Sequence, residues 1–76
     1  MKTILIVEDE TDIQELLRTY LEDAGYQTAA AGDGVTALAL FNAQHFDLVL
    51  LDLMVPKIDG FGVCERIRQQ SQVPIL

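Results

Sequence analysis

Ile4-Leu5-Ile6-Val7 form an unbroken, mostly β-branched apolar run that stops at three consecutive carboxylates, Glu8, Asp9 and Glu10. Such a run predicts a strand buried on both faces that opens into a polar loop. From Thr11 the period changes: Ile13, Leu16, Leu17, Tyr20, Leu21 and Ala24 recur at helical spacing on one face. Thr11 with Gln14 three residues later reads as a capping box, and Gly25 as the stop signal of this first helix.

Tyr26 to Ala31 is a weaker strand, poor in β-formers but bounded by Gly25 and Gly32, and its small residues suit close packing at a sheet edge. Gly32-Asp33-Gly34 is turn chemistry, and Val35 to Gln44, with Leu38 and Phe41 on one face, reads as a second helix. Leu48 to Leu51 is a second fully apolar run and stops at Asp52 as the first stopped at Glu8. Helical spacing resumes with Phe61, Cys64 and Ile67, and Val73-Pro74-Ile75-Leu76 opens a fourth strand. Strands alternating with helices predict an α/β fold, a parallel sheet with right-handed crossovers and helices on both faces. Leu76 falls inside an apolar run with no cap, turn or polar tail, so the sequence reads as part of a longer domain.

Composition narrows the function. The 76 residues carry 5 basic and 12 acidic side chains, a net charge of -7, and the pI is near 4.2. Such a chain is repelled by phosphate backbones and anionic lipid, which argues against direct nucleic-acid or membrane binding. One cysteine allows no internal disulfide, which suits a reducing cytoplasm. The short apolar run after Met1-Lys2-Thr3 is neither a signal-peptide core nor a membrane span.

In an open parallel sheet, ligands bind at the carboxyl ends of the strands. Glu8, Asp9 and Asp52 all fall at such ends, and if the first and third strands are neighbours their carboxylates converge. Mutual repulsion is then costly without a cation or proton. Oxygen donors with no nearby His or Cys point to magnesium, although any one acid at a strand end can equally be a solvated loop residue. No Gly-x-x-x-x-Gly-Lys-Ser/Thr loop and no Gly-x-Gly-x-x-Gly follows the first strand, which excludes the common nucleotide cradles.

Val7-Glu8-Asp9-Glu10, Asp52 and Met54-Val55-Pro56-Lys57-Ile58-Asp59-Gly60 together resemble the receiver domain of bacterial two-component response regulators. The segment from Gly60-Phe61 through Val73-Pro74-Ile75 is most similar to receivers that precede a winged-helix DNA-binding domain. The resemblance implies a flavodoxin-like (CheY-like) three-layer sandwich of strand order 2-1-3-4-5, here with four strands and three helices. It implies that Asp52 is the phosphoacceptor for a sensor histidine kinase. Asp9 would be a direct Mg2+ ligand, Glu8 would act through coordinated water, and the Met54 backbone carbonyl would complete the protein's share; Mn2+ would substitute. The implied role is a signalling domain rather than an enzyme, in the cytoplasm, acting on DNA only through an output domain not contained in this sequence.

Other residues read structurally. Pro56 restricts the loop after Asp52, and Asp59 is placed to cap the third helix. Lys57 follows the wrong strand to be the family's active-site lysine and reads as a solvated loop residue, and His45, near the end of the second helix, reads as a surface residue rather than a phosphodonor or ligand. Cys64 shares its spacing with core positions and reads as a packed thiol. Residues 1–76 thus correspond to the N-terminal part of a receiver. The family's fifth strand, its last two helices, a hydroxyl residue after the fourth strand and a lysine after the fifth lie outside them. The second reading follows from that: a structural fragment, not competent in phosphotransfer, that self-associates through apolar surface of Ile4–Val7 and Leu48–Leu51 and through an unpaired Val73–Leu76 edge. A third, an aspartate-nucleophile phosphohydrolase, would want an acid two residues after Asp52, where Met54 stands.

Overall fold

The computed structural model describes residues 1–52, 57 and 59–76. Strands β1 (Thr3–Val7), β2 (Gln27–Ala31) and β3 (Leu48–Leu51) alternate with helices α1 (Thr11–Asp23), α2 (Gly34–Ala43) and α3 (Gly60–Arg68). The strands form one parallel sheet of order β2-β1-β3. β1 is central, with Val7 opposite Ala31 on one side and Leu51 on the other. That position accounts for its continuous apolar run: Ile4, Leu5, Ile6 and Val7 are each no more than 2% exposed.

Strand alternation sends Leu5, Val7 and Val49 to one face, where they pack with Ala31, Ala37, Phe46, Val63, Ile67 and Val73 into the main core. This is the α2/α3 side. α1 covers the opposite face, yet none of its residues is buried, and Leu16 and Tyr20 are 61% and 74% exposed. The expectation that β1 would be uncovered is therefore corrected. α1 shields Ile4 and Ile6, and the accessible apolar surface lies on α1 itself and on half-buried Leu48 and Leu50 of β3.

The expected fourth strand is reduced to one parallel bridge, Val49 with Ile75. Val49 N donates to Pro74 O, Leu76 N to Val49 O and Leu51 N to Leu76 O, each at 2.9 Å. One bridge is short of a strand. The sheet among the described residues therefore has three strands rather than four.

Helix ends show what is local and what is not. α1 stops as expected: Gly25, at φ 98°, lets Tyr26 N reach Leu21 O and Gly25 N reach Glu22 O, both at 3.0 Å, the paired bonds of a Schellman motif. Its start differs. Glu10 is the N-cap and no side chain caps it, so the Thr11/Gln14 capping box does not form. Asp33 caps α2 by accepting from Thr36 N at 2.8 Å, and Asp59 caps α3 by accepting from Gly62 N at 2.9 Å. The core face of α3 is Val63 and Ile67, whereas Phe61 is 68% exposed and Cys64 only half-buried, a correction to the predicted packed thiol. No helix among the described residues is long and apolar enough to cross a membrane.

Candidate functional site

Because β1 and β3 are neighbours in register and end together, the residues that follow them share one rim of the sheet. The ladder runs one step past the strands, with Asp52 N donating to Val7 O at 2.9 Å and Glu8 N to Ala31 O at 3.0 Å. Glu8, Asp9 and Asp52 thereby each place a carboxylate oxygen within 4.8 Å of the others. Glu8 and Asp52 are half-buried and Asp9 is exposed, so the cluster opens to solvent on the Asp9 side.

Glu8 is held at several points. Its Oε2 accepts from Glu10 N at 3.0 Å, and its backbone carbonyl accepts a short hydrogen bond from Gln14 Nε2. The Glu10 N–H favours the carboxylate, but partial burial and the negative charges of Asp52 and Asp9 together outweigh it, so the Glu8 carboxyl is held above its ordinary value. A rim that concentrates negative charge in this way is relieved by a cation.

The donor set fits magnesium. All three side chains offer hard oxygen, and the oxygens of an octahedral ion with Mg–O near 2.0–2.1 Å lie about 3–4 Å apart. The observed separation needs only a small closing of the side chains. Met54, whose carbonyl was expected to join them, lies outside the described residues, as do Val55, Pro56 and Ile58.

Lys57 is exposed, as expected, but it is not idle. Its Nζ lies 3.6 Å from Asp33 Oδ2, joining the loop after β3 to the one after β2. Its backbone sits at φ 70°, a region unusual for a side chain other than glycine. Hydrogen bonds from Thr36 and the Lys57 charge hold the Asp33 carboxyl below its ordinary value. His45 is a surface residue, 3.1 Å from Asp47 Oδ1, and Cys64 lines an apolar cavity with Leu51, Phe61, Ile75 and Leu76. Sequence reasoning missed the Gln14–Glu8 and Lys57–Asp33 contacts; the Thr11/Gln14 spacing drew attention to Gln14 but assigned its side chain to the wrong partner.

Comparison with known proteins accords with this arrangement. Residues 4–76 match the response regulator receiver domain family. The chain is 47% identical over 75 residues to a probable transcriptional regulator, ycf27, of Cyanophora paradoxa, covering 99% of this chain and 31% of that protein. It is 47% identical over 76 residues to the transcriptional regulatory protein YxdJ of Bacillus subtilis, covering 100% of this chain and 33% of the relative. Among solved structures it resembles the response regulator TrrA of Thermotoga maritima in complex with Mg(2+)-BeF, at a TM-score of 0.92 and 41% identity, over 99% of this chain and 66% of that one. TrrA has also been solved in complex with the histidine kinase ThkA. The chain thus spans about a third of the curated relatives' length and two thirds of the solved receiver. From its β2-β1-β3 parallel sheet, its rim of three carboxylates and the match over nearly its whole length, the chain belongs to the response regulator receiver domain family.

Proposed function

We propose that this chain is the phosphoacceptor portion of a receiver domain, that Asp52 accepts the phosphoryl group, and that Glu8, Asp9 and Asp52, with the Met54 carbonyl, hold the Mg2+ that the transfer needs. The observation that carries this reading is the convergence of three carboxylate oxygens within 4.8 Å at the ends of β1 and β3. Asp52 emerges from β3 on a backbone tied to Val7, so its carboxylate is presented at the rim rather than on a free loop. An oxygen lone pair of Asp52 forms the new bond to phosphorus as the P–N bond of a phosphohistidine breaks, and the electron pair of the broken P–N bond returns to the imidazole nitrogen. A divalent ion held by Glu8, Asp9 and Asp52 would supply charge neutralisation between the two anionic reactants. Asp9 and Glu8 bring the negative charge that holds such an ion next to Asp52.

By the same reading the whole protein is a transcriptional regulator whose phosphorylation by a sensor histidine kinase in the cytoplasm is transmitted to a DNA-binding output domain, and residues 1–76 are the N-terminal part of its receiver. The relatives named as transcriptional regulators and the TrrA complexes with Mg(2+)-BeF and a kinase support it. The test is a Mn2+ titration followed by paramagnetic broadening of carboxylate-adjacent resonances. Saturable broadening at Glu8, Asp9 and Asp52 supports the reading, and identical responses of wild type and Asp9→Asn overturn it.

One observation favours a second role for these residues in isolation. The apolar side of α1 exposes Leu16 and Tyr20, and a surface of that kind favours self-association. Sedimentation of wild type against Leu16→Glu tests it: a dimer reduced to monomer supports association through α1, and a monomer in both overturns it.

A further inference from the structure

Glu8 is held through its carboxylate and its backbone carbonyl, and the bond to the carbonyl comes from α1. Gln14 lies on the first turn, where its backbone N–H makes the ordinary helical bond to Glu10 O at 3.0 Å. Its side chain turns back across the β1–α1 loop and donates from Nε2 to Glu8 O. The loop itself is wound tightly, with Glu10 N on Glu8 Oε2 at 3.0 Å. Glu8 N, meanwhile, is fixed to β2 through Ala31 O at 3.0 Å. The Gln14 amide thus closes the open side of the Glu8–Glu10 turn and ties α1 to the peptide that joins Glu8 to Asp9. It also lies near the loop after β2: a Cβ on Gly32 would sit 3.8 Å from Gln14 Nε2, an ordinary van der Waals contact.

We propose that Gln14 is a positioning residue for the cation at the carboxylate rim: by holding the Glu8–Asp9 peptide it sets the spacing of these two carboxylates from Asp52. The proposal rests on the reading of that rim as a metal site. Gln14 touches neither the ion nor the phosphoryl group. Its effect is conformational, since without the amide the Glu8 carbonyl turns to solvent and the loop samples arrangements in which Asp9 is farther from Asp52. Partners of metal ligands that act in this indirect way alter affinity by about 10- to 100-fold when removed. A hydrogen bond one peptide away from the ligands belongs at the low end of that range.

The experiment measures Mn2+ affinity and thermal unfolding side by side on the whole chain. Gln14→Met keeps the length of the side chain and removes the donor; Gln14→Asn keeps the amide but cannot reach Glu8 O, and serves if the Met variant does not fold. Leu21→Ala, half-buried on α1 beside Ile4 and Leu48, controls for loss of helix packing. The expected result is a Kd for Mn2+ about tenfold weaker in the Gln14 variants, at temperatures where circular dichroism shows them folded, while Leu21→Ala lowers the melting temperature with little change in Kd. Gln14 variants that bind Mn2+ as tightly as wild type, whatever their melting temperature, overturn the proposal. A wild type that responds no better than Asp9→Asn fails differently: it removes the metal site, and with it the role assigned to Gln14.

Discussion

Val7 of β1 and Leu51 of β3 stand opposite one another in the parallel register, and the next backbone bond, Asp52 N to Val7 O at 2.9 Å, keeps the two strands in step past their ends. The arrangement of the rim follows from this pairing. Glu8 and Asp52 are the first residues beyond paired positions, so they emerge side by side, and Asp9 follows on the same loop. A slip of one residue in either strand would reverse every side chain between the faces. It would also separate the two carboxylates. The apolar packing of β1 and the chemistry of the rim are set by the same register.

Neutralising Glu8 should stabilise the metal-free protein. A carboxyl whose pKa is raised on folding is harder to ionise in the fold than in the unfolded chain. Its penalty is absent below the unfolded value, grows as pH rises from the unfolded value to the folded one, and is complete above the folded value. Glu8→Gln should therefore melt at a higher temperature than wild type at pH 7 in the presence of a chelator. The difference should vanish as pH falls below the ordinary glutamate range, and the same substitution should weaken Mn2+ binding. Melting curves recorded across pH check each part.

Asp47 should show the opposite sign. Its Oδ2 accepts from Thr3 N at 2.9 Å while its own N–H donates to Thr3 O at 2.8 Å, fastening the start of β1 to the segment that enters β3. The Thr3 N–H, then His45 and Lys2, hold the Asp47 carboxyl below its ordinary value. Its contribution is present above the unfolded pKa and is lost as pH falls through the folded one. Asp47→Asn, which retains an acceptor for Thr3, should flatten the acid limb of the stability curve relative to wild type.

Core and α1-surface substitutions should differ sharply. Leu5 is completely buried between α2/α3 and the sheet, and Leu5→Ala should cost about 2–5 kcal/mol. That is comparable to the whole stability of a small domain, about 5 kcal/mol at the lower end. Leu16→Gln, on the exposed side of α1, should fall within about 0.5 kcal/mol of wild type if the chain is monomeric. Urea unfolding followed by circular dichroism measures both.

Much of the fold could be read from the sequence because β1 and β3 are short, fully apolar runs that end at acids, and because Gly25 marks a helix end by backbone conformation alone. What could not be read depends on partners distant in sequence. Gln14 had a local reading, a cap for Thr11, that lost to a bond with Glu8 O, available only once β1 and α1 meet. The Thr3–Asp47 and Lys57–Asp33 contacts join residues far apart in the chain and leave no periodic trace. Val73 to Leu76 read as a strand from composition, but a strand is defined by its ladder, and the ladder here is one bridge. The carboxylate rim was legible because each acid follows an apolar run, so strand adjacency was the one further condition it needed.

The central claim, that the rim is a phosphoacceptor site built on Asp52, is tested most directly by locating the phosphate. The chain is incubated with acetyl phosphate and Mg2+, trapped with borohydride, which converts an aspartyl phosphate to homoserine, and mapped by mass spectrometry. The result expected is a label on Asp52 that requires the divalent ion and is absent in Asp52→Asn. An acid-stable phosphate on Thr11 or Ser71, or labelling of Asp52→Asn equal to wild type, would contradict it.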